Sequence, residues 1–368
     1  MDETQRRRRV LLIGPSLRYL GGQAVQATRL CEGLRASDVV DSQYLVVDPV
    51  LPRPFNLLQR VPVLRTLATS VAYIARLLWT APRFDVLHIF SASYMSFLIA
   101  PTPALLVGRL FGKQVLLNYH SGEADDHLTR WGWHAKPILR MASLIFVPTE
   151  YLVEVFKRRG FATLAIPNHV AADSMSERTR DGVEPVFLSN RNFETHYNVG
   201  AVVIAFAQLQ QVYPQARLVI AGGGSLRGAL EAQVEALRLA NVTFTGPVAP
   251  CDMPALYAAA DVYVNASLID NMPLSILEAY AAGLPVVTSN AGGIPWIAED
   301  GVTARVVRSG DTVALASAMI ECVRVPDEAL QRAARARTFV RARYSWASVA
   351  REWSRVYGAR NPEVVSAR

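Results

Sequence analysis

The feature that most narrows the fold is an alternation of short β-branched runs with longer stretches of helical period. Parallel strands need long crossover connections, usually helices, and being covered on both faces they read as nearly continuous apolar runs. Val10–Ile13, Tyr44–Val47, Val86–Ile89, Val115–Asn118 and Leu144–Val147 read this way, and a loop with Gly21-Gly22 leads from the first into a helix over about 23–35. The polar stretch from Ala171 to Glu184 reads as a linker, after which the pattern restarts. Val186–Ser189, Arg217–Ala221, Val242–Thr245, Val262–Val264 and Pro285–Thr288 are the second set of strands, with helices over Val199–Val212 and from Leu226, Met253 and Pro273. The alternation predicts an α/β chain of two Rossmann-like, doubly wound domains facing a central cleft. The expected domains are 1–172 and 173–345, followed by a helix over 346–360 that crosses back to the N-terminal domain. In that helix Trp346, Val349, Trp353 and Val356 share one stripe.

Composition removes other classes. With 51% hydrophobic and 19% charged residues over 368 positions, two cores can be buried and disorder is excluded for most of the chain. The net charge of +7 is uneven: residues 1–170 carry 20 basic and 12 acidic side chains, residues 171–368 carry 18 and 19. Four of the basic residues are the run Arg6 to Arg9. That run is a weak nucleic-acid signal, because no basic stripe with interleaved aromatics accompanies it. The three cysteines, Cys31, Cys251 and Cys322, form no metal-ligand pair, which points to a reduced, cytoplasmic chain. Four apolar residues after the arginines do not make a secretory leader. Val61 to Trp79 is broken by Arg65 and Arg76, and Val86 to Val107 by His88, three serines and two prolines, so no transmembrane helix is expected.

The chemistry concentrates in Asp270 to Val287, DNMPLSILEAYAAGLPVV. Asp270 would lie in the loop after a strand, and Glu278 in the second turn of a helix that Pro273 opens. Amides from Asn271 through Met272 to Leu274 would sit at the helix N-terminus, where free N–H groups and the helix dipole suit a phosphate. A carboxylate one turn deeper can accept two hydrogen bonds from a ribose diol. The plain alternative is a solvated Glu278 behind an ordinary first-turn proline.

This stretch resembles the donor-site motif of retaining GT-B glycosyltransferases of the glycosyltransferase family 4 type, in which two acids separated by seven residues precede a small-residue helix and a G-x-P-V-V strand. Gly21-Gly22, Ile166-Pro167-Asn168, Ala221 to Ser225, Gly246 and Gly292-Gly293-Ile294-Pro295 stand in the family's order, so the resemblance covers nearly the whole chain. It implies that Glu278 binds the ribose hydroxyls. Asp270, in place of the usual first Glu, would contact the transferred sugar with a shorter reach. Arg191 would neutralise the diphosphate. The family's partner lysine is missing from RNFETHYNVG, where His196 or Asn198 stands near its place. Gly223 lies in the donor-binding loop after Arg217–Ala221. Gly21 and Gly22 would let backbone approach the leaving phosphate, unless they only make a tight turn. His120, in NYHSGE, would hydrogen-bond the donor sugar, unless it is a satisfied structural histidine. Glu123, Asp125 and Asp126 after it read as a solvated acidic loop, unless they contact the acceptor. Asn168-His169 replaces the family's Asn-Gly, which would put His169 in an unusual backbone conformation.

The resemblance implies sugar transfer from a nucleotide-diphosphate sugar to a glycan or lipid-linked hydroxyl, with retention at the anomeric carbon. No D-x-D occurs, so no metal and no cofactor are expected; a UDP-sugar is expected before a GDP-sugar on family frequency. A glycan phosphorylase using pyridoxal phosphate would need a lysine in the second half, and none follows Lys157. GPSLRYLGG is not G-x-G-x-x-G, which argues against a dinucleotide oxidoreductase. A sugar-nucleotide epimerase or a non-catalytic sugar-nucleotide binder remains open. The excess positive charge lies in the half that would hold the acceptor. There Leu57 to Trp79, with Arg60, Arg65 and Arg76, and Trp131 and Trp133 beside Arg130 and Lys136, suit an anionic membrane surface. Ordinary helix packing with snorkelling arginines suits them as well. The expected location is cytoplasmic, peripheral at the inner face of the membrane.

Overall fold

A computed structural model describes residues 7–18, 21–37, 40–53, 55–56, 61–175 and 180–358. Arg6, Leu57, Arg60, Ser176, Arg178 and the end of the expected tail helix, 359–360, lie outside the described residues. The chain forms two units, Met1–His169 with Val349–Arg368, and Val170–Ser348.

The first unit is a parallel sheet of β1 (Arg9–Gly14), β2 (Asp41–Val46), β3 (Val86–Ser91), β4 (Gln114–Tyr119), β5 (Leu144–Val147) and β6 (Leu164–Ala165), in the order β2-β1-β3-β4-β5-β6. Its connections carry α1 (Gly22–Ala36), α2 (Pro62–Thr80), α3 (Tyr94–Ile99), α4 (Pro101–Leu110), α5 (Ala124–Arg130), α6 (Gly132–Leu139) and α7 (Glu150–Arg158). Leu11, Ile13, Leu87, Ile89, Val115 and Leu117 form the centre of its core. The stretch expected as an acidic loop is α5: Asp125 pairs with Arg159 at 2.6 Å, and Asp126 with Arg130 at 2.8 Å, so these carboxylates have cationic partners one or more turns away. His169 is not among the non-glycine residues with positive φ, which are Tyr94, Asn198, Arg238 and Asn241 among the described residues.

Helix α2 buries Tyr73 and Leu77 and leaves a second apolar stripe in solvent. Val63 is 78% exposed, Leu67 63%, Val71 60% and Trp79 72%, with Arg65 and Arg76 exposed beside them. Arg83 lies over the Trp79 ring at 5.1 Å, and Trp133 on α6 is 84% exposed. No described helix is long and apolar enough to cross a membrane.

The second unit is a parallel sheet of β7 (Val186–Asn190), β8 (Arg217–Ala221), β9 (Val242–Gly246), β10 (Val262–Asn265), β11 (Val286–Ser289) and β12 (Arg305–Val307), in the order β12-β11-β10-β7-β8-β9. Helices α8 (Val199–Val212), α9 (Arg227–Ala236), α10 (Met253–Ala258), α11 (Leu274–Ala281), α12 (Thr312–Arg324) and α13 (Pro326–Tyr344) connect the strands and extend beyond them. Phe187, Val203, Phe206, Leu218, Ile220, Val264 and Met319 centre its core. The unit begins at Val170, earlier than the expected 173, because the Val170 N–H donates to the Tyr344 carbonyl at 2.9 Å and ties this segment to the end of α13. The expected linker is not wholly a solvated tether. Arg180 within it is buried against Asp261 at 3.4 Å and donates to the Ala260 carbonyl at 2.9 Å.

The last helix, α14 (Trp346–Gly358), belongs mostly to the first unit. Its Tyr357 hydroxyl meets His88 Nδ1 on β3 at 2.6 Å, and Trp353 packs on His88 and Phe146 with ring centroids 4.7 and 5.1 Å away. Burial, with His120 nearby, lowers the His88 pKa to about 3, so the imidazole under this helix is neutral.

Candidate active site

In a doubly wound sheet the crevice opens at the carboxyl ends of the two strands where the order reverses. In the second unit these are β7 and β10, which pair directly. Arg191 is the first residue after β7, and Asp270 lies in the loop after β10. A separation of 79 residues in sequence closes to an ion pair of 2.5 Å between Arg191 Nη2 and Asp270 Oδ2, each side chain 11% exposed.

Both ends of the pair are held. Arg191 Nη1 donates to Ser275 Oγ at 3.1 Å, and the guanidinium lies over the Tyr197 ring at 4.0 Å. Burial works against its charge, but Asp270 and the surrounding tyrosines outweigh burial and hold its pKa above the ordinary arginine value. Asp270 accepts from Ser267 Oγ at 3.1 Å and from the Asn271 N–H at 3.0 Å. Two glycines let neighbouring loops run against these residues. A Cβ at Gly222 (φ +141°) would collide with the Arg191 carbonyl oxygen, and one at Gly292 (φ +51°) with that of Asp270. Gly223 accepts the Phe193 N–H at 2.8 Å through its carbonyl, which fixes the loop after β8 against the segment that carries Arg191.

Glu278 is buried, 6% exposed, in the second turn of α11, so the solvated alternative does not hold. Its Oε2 stands 3.1 Å from the Tyr257 hydroxyl, which also lies 3.1 Å from the Ser275 carbonyl and accepts from Asn190 Nδ2 at 2.9 Å. A hydroxyl has one proton, so Tyr257 serves the carbonyl or the carboxylate, one at a time. Burial and the Glu278 charge push the Tyr257 pKa far up, which keeps the phenol protonated.

The N-terminus of α11 differs from expectation. Pro273 caps the helix in an extended conformation (ψ 112°), and the helix starts at Leu274. The Asn271 N–H is taken by Asp270 and proline has none, so the amide set is smaller than expected. The first helical N–H groups, at Leu274 and Ser275, have no intrahelical acceptor by helix geometry. Met272 and Leu274 are both buried at 8% exposure. His196 takes part through its backbone, its carbonyl accepting the Leu268 N–H at 2.8 Å, while its ring leans on Tyr197 at 4.1 Å.

The remaining expected residues lie in the first unit. Gly21 caps α1 with φ −161°, extended backbone open to any residue, so conformation alone does not call for glycine there. His120 follows β4. Its N–H donates to the Ser91 carbonyl at 3.0 Å, its ring packs on Phe90, and its Nε2 is buried without a hydrogen-bond partner. Burial lowers its pKa to about 3, so it offers a neutral imidazole. Among the described residues no group of three or more His, Cys, Asp or Glu is placed to hold a metal ion.

Tyr257, Ser275, Ser267 and Tyr197 escaped the sequence reading. Ser275 was visible as a hydroxyl in the first turn of a predicted helix; the others carry no spacing signal.

Residues 184–324 match the family model of glycosyl transferases group 1. This segment is a group 1 glycosyl transferase domain. The chain is 30% identical over 192 residues to a GDP-mannose-dependent alpha-(1-6)-phosphatidylinositol monomannoside mannosyltransferase of Mycobacterium tuberculosis, covering 50% of each. It is 26% identical over 286 residues to a phosphatidyl-myo-inositol mannosyltransferase of Mycobacterium leprae, covering 74% of this chain and 73% of that protein. The chain therefore spans about half the length of the first of these relatives. Anabaena HepE, solved in complex with UDP-glucose, superimposes with a TM-score of 0.74 at 17% identity, covering 95% of this chain and 99% of that one. The matched segment contains every second-unit residue expected at the donor site, and the fold is GT-B, two Rossmann-like units.

Proposed function

We propose that the chain is a retaining glycosyltransferase that moves a sugar from a nucleotide-diphosphate sugar to a hydroxyl of a glycan or lipid-linked acceptor. The observation that carries this is the meeting of Arg191, Asp270 and buried Glu278 at the strand-order reversal of the group 1 domain. Glu278 accepts the ribose hydroxyls. Arg191, with the first amides of α11, holds the diphosphate as it departs. Asn271, Met272 and Pro273 shape the turn above them, and Gly223 and His196 fix the loops on either side.

The bond from the anomeric carbon to the diphosphate breaks as the acceptor oxygen attacks from the same face, and no protein nucleophile is required. Charge develops on the leaving diphosphate, so donors fixed before the reaction stabilise the transition state more than the ground state. Transfer proceeds without a metal: activity should survive a chelator, and loss restored by Mg²⁺ or Mn²⁺ would overturn that point. UDP-sugars are proposed ahead of GDP-mannose, since HepE was solved with UDP-glucose; the Mycobacterium tuberculosis relative, named as GDP-mannose-dependent, makes GDP-mannose the second choice. A thermal-shift and hydrolysis screen across nucleotide sugars tests the reading. A donor should stabilise the wild type and fail to stabilise Glu278→Ala and Arg191→Ala.

Both mycobacterial relatives are named for inositol lipids, which supports a lipid-linked acceptor. The exposed stripe of α2 with Arg65, Arg76 and Arg83, and Trp133 on α6, would then rest on an anionic lipid surface. Vesicles rich in phosphatidylglycerol should carry the protein in flotation at low salt, and release it as salt rises; no flotation at low salt removes the membrane.

A further inference from the structure

We propose that Asp270 and the donor diphosphate exchange places on Arg191: the carboxylate occupies the guanidinium in the free protein, the diphosphate takes it on binding, and the released carboxylate turns to the donor sugar's hydroxyls. The inference rests on the nucleotide-sugar reading above and goes beyond it, since it couples recognition of the two halves of the donor through one ion pair.

Carboxylate and phosphate fit the same guanidinium fork, so they compete for it. At 11% exposure on each side the pair is poorly screened, and Asp270 cancels the charge on Arg191. No lysine follows Lys157, so no ammonium in the second unit can take the diphosphate instead. A diphosphate brought beside an intact pair would add like charge next to the Asp270 carboxylate, whereas exchange removes that repulsion.

Each partner has other holders that survive the exchange. Asp270 keeps the Asn271 N–H and a share of the Ser267 hydroxyl, whose one proton also faces Asn265 Oδ1 at 2.8 Å, neutral donors that leave its charge available. Arg191 keeps the Tyr197 ring, a contact that tolerates pivoting better than a directed hydrogen bond does. The paired state also leaves Arg191 Nε buried with no hydrogen-bond partner, and a buried donor in that condition is destabilising. A diphosphate has enough oxygens to satisfy it once the guanidinium moves; one carboxylate already committed to two other donors does not.

The test is calorimetric binding of UDP and, in parallel, GDP and the free nucleosides, to wild type and Asp270→Asn. Removing the competing charge should tighten diphosphate binding by about tenfold, about 1.4 kcal/mol, and leave nucleoside binding unchanged. Donor turnover should fall in the same variant, because no carboxylate is left for the sugar. Diphosphate binding that is unchanged or weaker in Asp270→Asn overturns the exchange and leaves Asp270 as a fixed support for Arg191. If that variant does not fold, Asp270→Ser supplies the same comparison. If neither diphosphate binds any form, the nucleotide-sugar reading falls and the exchange falls with it. That outcome is distinct from the preceding one, in which the wild type binds.

Discussion

Glu278 shows how far one carboxylate depends on its surroundings. It is buried, so the Tyr257 hydroxyl is one of the groups that make its charge tolerable. Tyr257→Phe removes that hydroxyl and leaves Asn190 Nδ2, and whichever of Glu278 and the Ser275 carbonyl it serves, short of a partner, which should cost about 1–3 kcal/mol in denaturant unfolding. The same variant should weaken nucleotide binding, since Glu278 loses one of the contacts that orient it. Gly292→Ala tests the other support. The left-handed φ of +51° and the Asp270 carbonyl in the path of a Cβ should together destabilise by about 1–3 kcal/mol or more. Nucleotide affinity should fall with the melting temperature, because the backbone that must move carries Asp270. An unchanged affinity would show that the loop relaxes elsewhere. Residue types were legible here: an acid pair with seven residues between, an arginine after a strand, a glycine pair. Their partners were not, because nothing local marks Tyr197 or Tyr257 as neighbours of Arg191 or Glu278.

Helix α14 carries the clearest expectation among the elements. Trp353, 2% exposed, packs on His88 and Phe146 of the first unit. Trp353→Ala should cost about 3–5 kcal/mol, read as a fall in the thermal midpoint of that unit. Its stripe of Trp346, Val349, Trp353 and Val356 was plain from helical spacing; the last three are buried and Trp346 is half-buried. The exposed stripe of α2 predicts the opposite behaviour. Val63→Ser with Trp79→Ser should change stability by no more than about 0.5 kcal/mol while abolishing vesicle flotation. Helix α8 and strands β5 and β8 begin and end at the residues expected. Strands β6 and β12, of two and three residues, had too few positions to show a period and were not foreseen.

Taken as a whole, the chain distributes its histidines unequally, and acid should expose this. Five of six lie in the first unit and only His196 in the second. Burial lowers the pKa of His88 and His169 to about 3 and that of His127 to about 4. In the unfolded chain each would titrate near 6.5. The unfolded state therefore binds these protons first. The stability they preserve is complete above pH ~6.5 and is lost as pH falls toward the folded values, by about 1.4 kcal/mol per pH unit for each histidine. Calorimetric scans at pH 7.5 and 5.5 should show the first-unit transition, identified by its response to Trp353→Ala, moving down while the other stays. Equal shifts in both would refute the assignment.

By itself the sequence determined that there are two parallel, doubly wound sheets and which end of each carries chemistry. Apolar period and strand–helix alternation are local properties, and the direction of parallel strands then places every loop after a strand on one edge. What only the tertiary structure decided is who neutralises whom. Arg191 and Asp270 read as separate donor contacts, one for phosphate and one for sugar, and the pairing of β7 with β10 makes them an ion pair. Charge pairing depends on distances of a few ångströms between strand ends 79 residues apart, and those distances are set by sheet order and by loops packed on glycine, which no local period encodes.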